Sequence, residues 1–198
     1  MSPIKLGITG GIGSGKSVVC RVLQLMGVPV YSSDDETKQL MVSDPEIREG
    51  LTALLGPEAY QGEALNKPVI AAYLFASADH AATINALIHP RVKEDFRRWV
   101  KAHQGCPIVA IESAILLEAG FADVVDRVVV VTAPLETRIR RAMQRDSASR
   151  QQVERRIQQQ MADAERLSAA HHVIQNDDFL PLIPQVLALI ASLFGNND

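Results

Sequence analysis

Eight consecutive residues carry the strongest chemical signal in the chain: Gly10-Gly11-Ile12-Gly13-Ser14-Gly15-Lys16-Ser17. They fit the phosphate-loop spacing G-x-x-x-x-G-K-[ST] at every position. The glycines let backbone N–H groups converge on phosphate oxygens without a Cβ in the way. A helix starting near Lys16 would add unpaired N–H groups and the positive end of its dipole. Lys16 supplies a mobile positive charge, and the Ser17 hydroxyl suits Mg²⁺. Gly11, Ile12, Gly13, Ser14, Gly15, Lys16, Ser17 and Val18 are therefore expected around a nucleoside triphosphate. The string implies such a site and leaves its use open.

Two uses compete, a nucleotide-dependent switch and a small-molecule kinase. A guanine-reading switch needs Asn-Lys-x-Asp, and the near match Asn66-Lys67-Pro68-Val69 lacks the Asp and reads as a helix start. A kinase needs an acid at the acceptor hydroxyl, an acceptor pocket and mobile arginines. Asp34 and Asp35 follow an apolar segment, Val28 to Tyr31. Either could take the acceptor's proton or help hold Mg²⁺, and either could instead cap a helix starting near Glu36. Glu112 follows the apolar run Pro107 to Ile111, where a carboxylate can serve a metal. Residues 138–166 hold eight arginines against four acids, a local net charge of +4 in a chain whose total is −3. Arg145-Asp146-Ser147-Ala148-Ser149 breaks this segment, so it reads as a helix–loop–helix lid. Arg141 and Arg145 are assigned to phosphate, because guanidinium forks match phosphate oxygens. Arg138, Arg140, Arg156 and Arg166 are assigned to a solvated helix face.

These residues need a scaffold. Ile4 to Thr9 reads as a buried strand, Lys16 to Met26 as a helix and Val28 to Tyr31 as a second strand. Strand, glycine loop, helix, strand is a βαβ unit, which implies a parallel sheet. Pro107 to Ile111, Arg127 to Thr132 and His172 to Ile174 complete five strands. Helices are expected at Pro134 to Arg145, Ser149 to Ala169 and Phe179 to Phe194. Between the second and third strands the pattern is helical, with Asp44 as N-cap before Pro45. A long helix from about Asp79 to His103 should be kinked or divided at Pro90. The predicted fold is α/β: a three-layer P-loop NTPase core on a five-stranded parallel sheet, with a helical substrate lobe and a helical lid. The expected boundaries are core 1–33, 105–137 and 168–198, lobe 34–104 and lid 138–167.

The chain has 198 residues, 47% hydrophobic and 22% charged, which are ordinary globular values. Its mildly acidic total argues against a nucleic-acid coat protein. No apolar run is long enough to cross a membrane, and the glycine-broken N-terminus is not a secretory signal. Cys20 and Cys106 are too few and too far apart for a disulfide framework or zinc cluster. Both are expected to be small buried hydrophobes in a cytoplasmic, reducing setting. The expected partners are small molecules, without nucleic acid or membrane. A monomer would suffice for this chemistry.

The chain resembles the dephospho-coenzyme A kinase family along almost its whole length. Gly7-Ile8-Thr9-Gly10-Gly11-Ile12-Gly13-Ser14-Gly15-Lys16-Ser17 is similar to the family's opening string. Gly27-Val28-Pro29-Val30-Tyr31-Ser32-Ser33-Asp34 resembles its G-x-P-V-I-D-A-D, and His89-Pro90-Arg91-Val92 its H-P-x-V. Arg141 to Asp146 resembles the lid's R-x-x-x-R-D, continued by Val153, Arg155 and Gln159 or Gln160; Val173-Ile174 with Asn176 resembles V-I-x-N. The resemblance implies ATP-dependent phosphorylation of the ribose 3′-hydroxyl of dephospho-CoA, giving CoA and ADP. It implies Asp34 as base, His89 and Glu118 facing the acceptor, Arg141 and Arg145 near ATP, and Asn176 near adenine. Ser17 and Glu112 would serve Mg²⁺. Another small-molecule or nucleotide kinase of the P-loop class is the alternative. Ser32 stands for the first Asp of D-A-D, Glu112 for Asp in D-x-P-L-L-F-E, Val18 for a frequent Thr, and the Gly usual after Asn176 is missing.

Overall fold

The computed structural model describes residues 2–195. By contact, the chain divides into two compact units: residues up to Tyr31 together with His103 onward, and Ser32–Ala102. The second unit begins and ends two residues before the expected helical lobe. The arginine-bearing segment clusters with the first unit.

In chain order, β1 (Ile4–Thr9) leads through the glycine loop into α1 (Lys16–Leu25) and then β2 (Val30–Ser32). The second unit holds α2 (Ser33–Ser43), α3 (Pro45–Leu55), β3 (Tyr60–Gln61), β4 (Ala64–Leu65), α4 (Lys67–Ala76) and α5 (Ala78–Ala102). The first unit resumes with β5 (Ile108–Glu112), β6 (Arg127–Thr132), α6 (Leu135–Asp146) and α7 (Arg150–Gln158). It closes with α8 (Asp163–Ser168), β7 (His172–Gln175) and α9 (Leu182–Phe194).

The strand order is β2-β5-β1-β6-β7. β1 pairs in parallel with β5 and β6, and β6 pairs in parallel with β7. The chain therefore builds outward from β1 first to one side and then to the other. That reversal leaves a crevice at the C-terminal end of β1, where ligands bind in open α/β sheets. The glycine loop leaves β1 at this point. Leu6, Ile8, Ala110, Val129, Val131 and Ile174 from the sheet pack with Val19 and Leu23 of α1 and Val186 and Leu189 of α9. Gly7 lies under Leu116, whose Cδ1 would sit 2.8 Å from an added Cβ. Cys20 is buried as expected; Cys106 is half-buried.

The second unit is organised by α5. Ile84, Ile88, Val92, Phe96 and Val100 are buried along one row, with Ile47 and Leu51 of α3 and Ile70 of α4 also buried. The helix runs through Pro90 unbroken. Burying five large apolar side chains, at about 1.5–3 kcal/mol each, outweighs the ~3 kcal/mol of an interior proline. Asp44 caps α3 by accepting hydrogen bonds from Glu46 N and Ile47 N at 3.0 and 3.1 Å. It also takes Arg91 Nε and Nη2 at 3.1 and 2.9 Å. β3 and β4 form a short hairpin absent from the sequence expectation.

The expected helix at 149–169 is two helices, α7 and α8. The chain leaves its helical path where Gln160 accepts a hydrogen bond from Ile12 N and Met161 N donates to Glu118. No helix among the described residues is long and apolar enough to cross a membrane.

Candidate active site

The phosphate loop is held from outside by side chains distant in sequence. An added Cβ on Gly13 (φ 75) would lie 2.2 Å from the Arg138 carbonyl oxygen. On Gly15 (φ 92) it would lie 2.0 Å from Asn176 Nδ2. Glycine is thus required at both by backbone conformation and by neighbours. Asn176 Nδ2 donates to Ser14 O at 2.9 Å. Lys16 Nζ donates to Gly10 O at 2.9 Å, which folds the lysine back over the loop. Both polar groups of the Ile12 main chain are taken by protein: N–H by Gln160, C=O by Arg138 Nε at 3.0 Å. Ser17 and Val18 are exposed.

Arg138 and Arg166 correct the sequence reading. They are 2% and 1% exposed, not on a solvated face. Asp163 joins them, accepting from Arg138 Nη1 at 2.5 Å and from Arg166 Nη1 at 2.8 Å. Arg166 also donates to Met161 O at 2.9 Å. These partners replace water at the guanidinium Nη atoms named, while the buried Arg166 Nε has no hydrogen-bond partner among the described residues. This network, with Gln160, ties the start of α6 and the turn before α8 to the tip of the phosphate loop. Nothing local marks it, since Arg138 and Ile12 are 126 positions apart. Arg140 and Arg156 are exposed, and their carboxylate partners are Asp178 and Asp146.

Arg141 lies at the loop. Its guanidinium donates to Gly13 O at 3.4 Å and to Asn176 Oδ1 at 3.5 Å, and it pairs with Asp178. Asp178 has φ 74, a left-handed conformation in a non-glycine residue. Arg141 holds the Asp178 carboxyl below its usual range. Arg145 is not brought to the loop: it forms a forked pair with its neighbour Asp146 at 2.7 and 3.0 Å. Arg145 first and Arg156 second hold the Asp146 carboxyl far below its usual range. Glu118 braces Met161 at 3.2 Å.

Glu112 closes β5 and accepts a hydrogen bond from the Cys20 thiol on α1. Burial and then the Glu112 charge push that thiol's pKa up, so Cys20 stays a thiol. Cys20 lies one helical turn beyond Ser17, on the same face of α1. Glu112 thus reaches the helix face that carries the Ser17 hydroxyl. No cluster of three or more His, Cys, Asp and Glu that could hold a metal occurs among the described residues. One carboxylate, one hydroxyl and substrate phosphates nevertheless fit Mg²⁺, which keeps several waters. Two buried hydroxyls at the loop, Thr9 Oγ1 and Ser14 Oγ, have no hydrogen-bond partner among the described residues. That fits a loop arranged around a polar ligand.

In the second unit, the acid pair divides. α2 begins at Ser33, earlier than expected, so both acids lie in its first turn. Asp35 accepts from Ser32 Oγ at 2.9 Å and Lys38 Nζ at 2.8 Å. Asp34 is exposed and has no hydrogen bond or ion pair among the described residues. His89 is half-buried on α5; burial first and Lys93 second push its pKa down, so the ring is neutral at pH 7.

A parallel sheet with a glycine loop at its switch point, followed by a helix headed by Lys16 and Ser17, defines a P-loop nucleoside triphosphate-binding protein. A family model described as dephospho-CoA kinase matches residues 4–181. A dephospho-CoA kinase of Bacteroides fragilis is 56% identical over 192 residues, 96% of this chain and 93% of that one. A Thermus thermophilus protein of known crystal structure is 32% identical, with a TM-score of 0.83 over 100% of both chains. The fold of a Campylobacter jejuni dephospho-CoA kinase matches at a TM-score of 0.70 and 17% identity, covering 98% of each chain. The chain belongs to the dephospho-CoA kinase family. It is a kinase whose reaction is the ATP-dependent phosphorylation of dephospho-CoA, the last step of coenzyme A synthesis.

Proposed function

We propose that the chain transfers the γ-phosphoryl group of ATP to the ribose 3′-hydroxyl of dephospho-CoA, with Asp34 as base. The observation that carries the residue assignment is the division of the acid pair. Asp35 is occupied by Ser32 and Lys38, while Asp34 stands exposed at the start of α2. A carboxylate with open lone pairs can accept a hydroxyl proton; one already bridged cannot do so without losing its partners.

The remaining groups act by position and charge, which dominate phosphoryl transfer. The main chain from Gly13 to Ser17 receives the phosphates at the start of α1. Lys16 leaves Gly10 O and meets the transferring group. Arg141, at the loop's edge, neutralises charge on it. Arg145 joins only if it exchanges Asp146 for phosphate, a movement of the α6–α7 segment. Asn176 holds Ser14 and Arg141, and so shapes the nucleotide side. His89 and Glu118 are the remaining acceptor contacts proposed. Ser17 and Glu112 would hold Mg²⁺, which when bound neutralises charge on the β- and γ-phosphates.

The test is ADP release measured with ATP and a panel of acceptors: dephospho-CoA, AMP, adenosine, shikimate and gluconate. Turnover with dephospho-CoA far above the others, and a product phosphorylated at the 3′-position, is expected. Faster turnover with another acceptor would replace this reading. ATP hydrolysis indifferent to every acceptor would make the chain a switch.

A further inference from the structure

A cavity of about 410 Å³ lies within the first unit, where the sheet meets the last turns of α9. Arg127, His171, His172, Leu189, Ser192 and Leu193 line it. Its volume is in the range of small-molecule sites. Strand alternation explains this lining. Val129 and Val131 of β6 and Ile174 of β7 share a core with Val186 and Leu189 of α9. Arg127 and His172 stand two residues earlier on the same strands, so they point to the same side of the sheet. Val129 pairs with His172, which leaves Arg127 one pleat from the imidazole. Arg127 is level with Leu6 of β1, four residues or about 13 Å before the phosphate loop begins at Gly10. The cavity is therefore separate from the site of phosphoryl transfer.

The polar groups around this space are donors, and none of the six lining residues is an acid. Arg127 donates through Nη1 to the Asp126 carbonyl at 2.9 Å and forms no ion pair among the described residues. The Asp126 carboxylate is occupied instead by Lys5, whose Nζ lies at 3.2 Å and whose main-chain N lies at 2.8 Å. His171 Nδ1 accepts the Val128 N–H at 3.1 Å, which leaves Nε2 as the donor. His172 is half-buried, and its ring makes no hydrogen bond among the described residues. Ser192 Oγ donates to Leu189 O at 2.7 Å and keeps its lone pairs. Leu189 and Leu193 make the α9 wall apolar. The carbonyl end of α9 bears partial negative charge. An anion is thus held from the strand side and an apolar body from the helix side.

We propose that this cavity is a second ligand site, for a small anion with a short apolar body. Its carboxylate or phosphate head meets Arg127 and His171, and its hydrocarbon lies against Leu189 and Leu193. Arg127 offers a planar fork that matches two oxygens of either head. His171 Nε2 adds a directed donor, and His172 and Ser192 complete the polar rim. A bare inorganic anion would leave the leucine wall unused, whereas an apolar body gains by covering it. The site does not depend on the acceptor's identity, since none of its residues belongs to the transfer machinery.

The test uses the full chain with saturating ADP, so that the phosphate loop is already filled. The probes are butyrate, butyl phosphate and inorganic phosphate, followed by the imidazole NMR signals of the five histidines. At least one organic anion is expected to shift the His171 and His172 signals with a Kd of about 1 mM, leaving those of His80, His89 and His103 in place. Tighter binding of butyrate assigns a carboxylate head, and tighter binding of butyl phosphate a phosphate head. Inorganic phosphate should bind more weakly than butyl phosphate, by up to about fourfold for each methylene seated on the leucines. Arg127→Gln should weaken the organic anion about 5- to 20-fold, the scale of a lost charged hydrogen bond, and Arg127→Lys should weaken it less. Arg21→Gln removes an exposed charge from α1 and should leave the affinity unchanged. The proposal is overturned if neither organic anion binds at about 10 mM, or if inorganic phosphate binds as tightly as the better of them. An unchanged affinity in Arg127→Gln, an equal loss in Arg21→Gln, or equal shifts at all five histidines also overturns it.

Discussion

The phosphate loop and the ridge on α5 formed by Lys93 and Arg97, four residues apart on one helix face, present positive charge in different ways. In the loop the donors are main-chain groups at the start of α1, with Lys16 laid over them. Their geometry depends on side chains packed behind them, Arg138, Gln160 and Asn176. On α5 the positive groups are side-chain tips set in a row by helical spacing. A cradle of main chain is stiff, and a fault in its bracing alters the whole loop. A ridge of long side chains is adaptable, and each member can be removed with a local effect.

The largest effect should come from neither region but from the acid at the start of α2. Asp34→Asn should lower kcat by ~10²–10⁴, the range for a lost general base, while ATP still binds. Near-normal turnover would return the role to Asp35 or to no side chain. Arg138→Ala is the sharpest test of the braced loop. It leaves Asp163 with one guanidinium and Ile12 O without a donor, a cost of about 1–3 kcal/mol, visible as a lower melting temperature. The KM for ATP should rise while that for dephospho-CoA holds, and equal changes in both would remove the distinction between the two regions.

Asp44 gives the second unit its own acid sensitivity. Burial alone would raise its pKa, but Arg91 and the N–H groups of Ile47 and Glu46 outweigh that, and the net shift is downward. A depressed carboxylate stabilises above its unfolded pKa of about 4 and loses that contribution as pH falls through the lower folded value. Asp44→Asn should cost about 1–3 kcal/mol at pH 7 and flatten the decline of stability below about pH 4. An unchanged acid limb in calorimetric melts would assign that decline elsewhere. The smallest effect is expected at Asp178. Asparagine tolerates the left-handed conformation and removes the charge facing Arg141. Asp178→Asn should tighten ADP binding about two- to fivefold at low salt, as for a surface ion pair released to a ligand. Weaker binding by titration calorimetry would make Asp178 a brace instead of a competitor.

Local signals made most of the frame legible. The eight-residue loop, the apolar runs of β1, β5 and β6, and the Asp44-Pro45 cap rest on interactions within a few residues, so spacing reveals them. The charged residues were less legible. Eight arginines in one segment look alike in sequence. Only packing separates Arg138 and Arg166, buried around Asp163, from Arg141 at the loop and Arg145 turned to its neighbour. The same holds for Asp34 and Asp35, whose equivalence is broken by Ser32 and Lys38.

By itself, then, the sequence determined the parallel α/β core and the phosphate loop, because a glycine pattern and hydrophobic periodicity act over one or two turns of chain. The tertiary structure alone decided which charges brace, which pair and which remain available. A guanidinium or carboxylate takes its role from partners far away in sequence, across the long loops that folding closes.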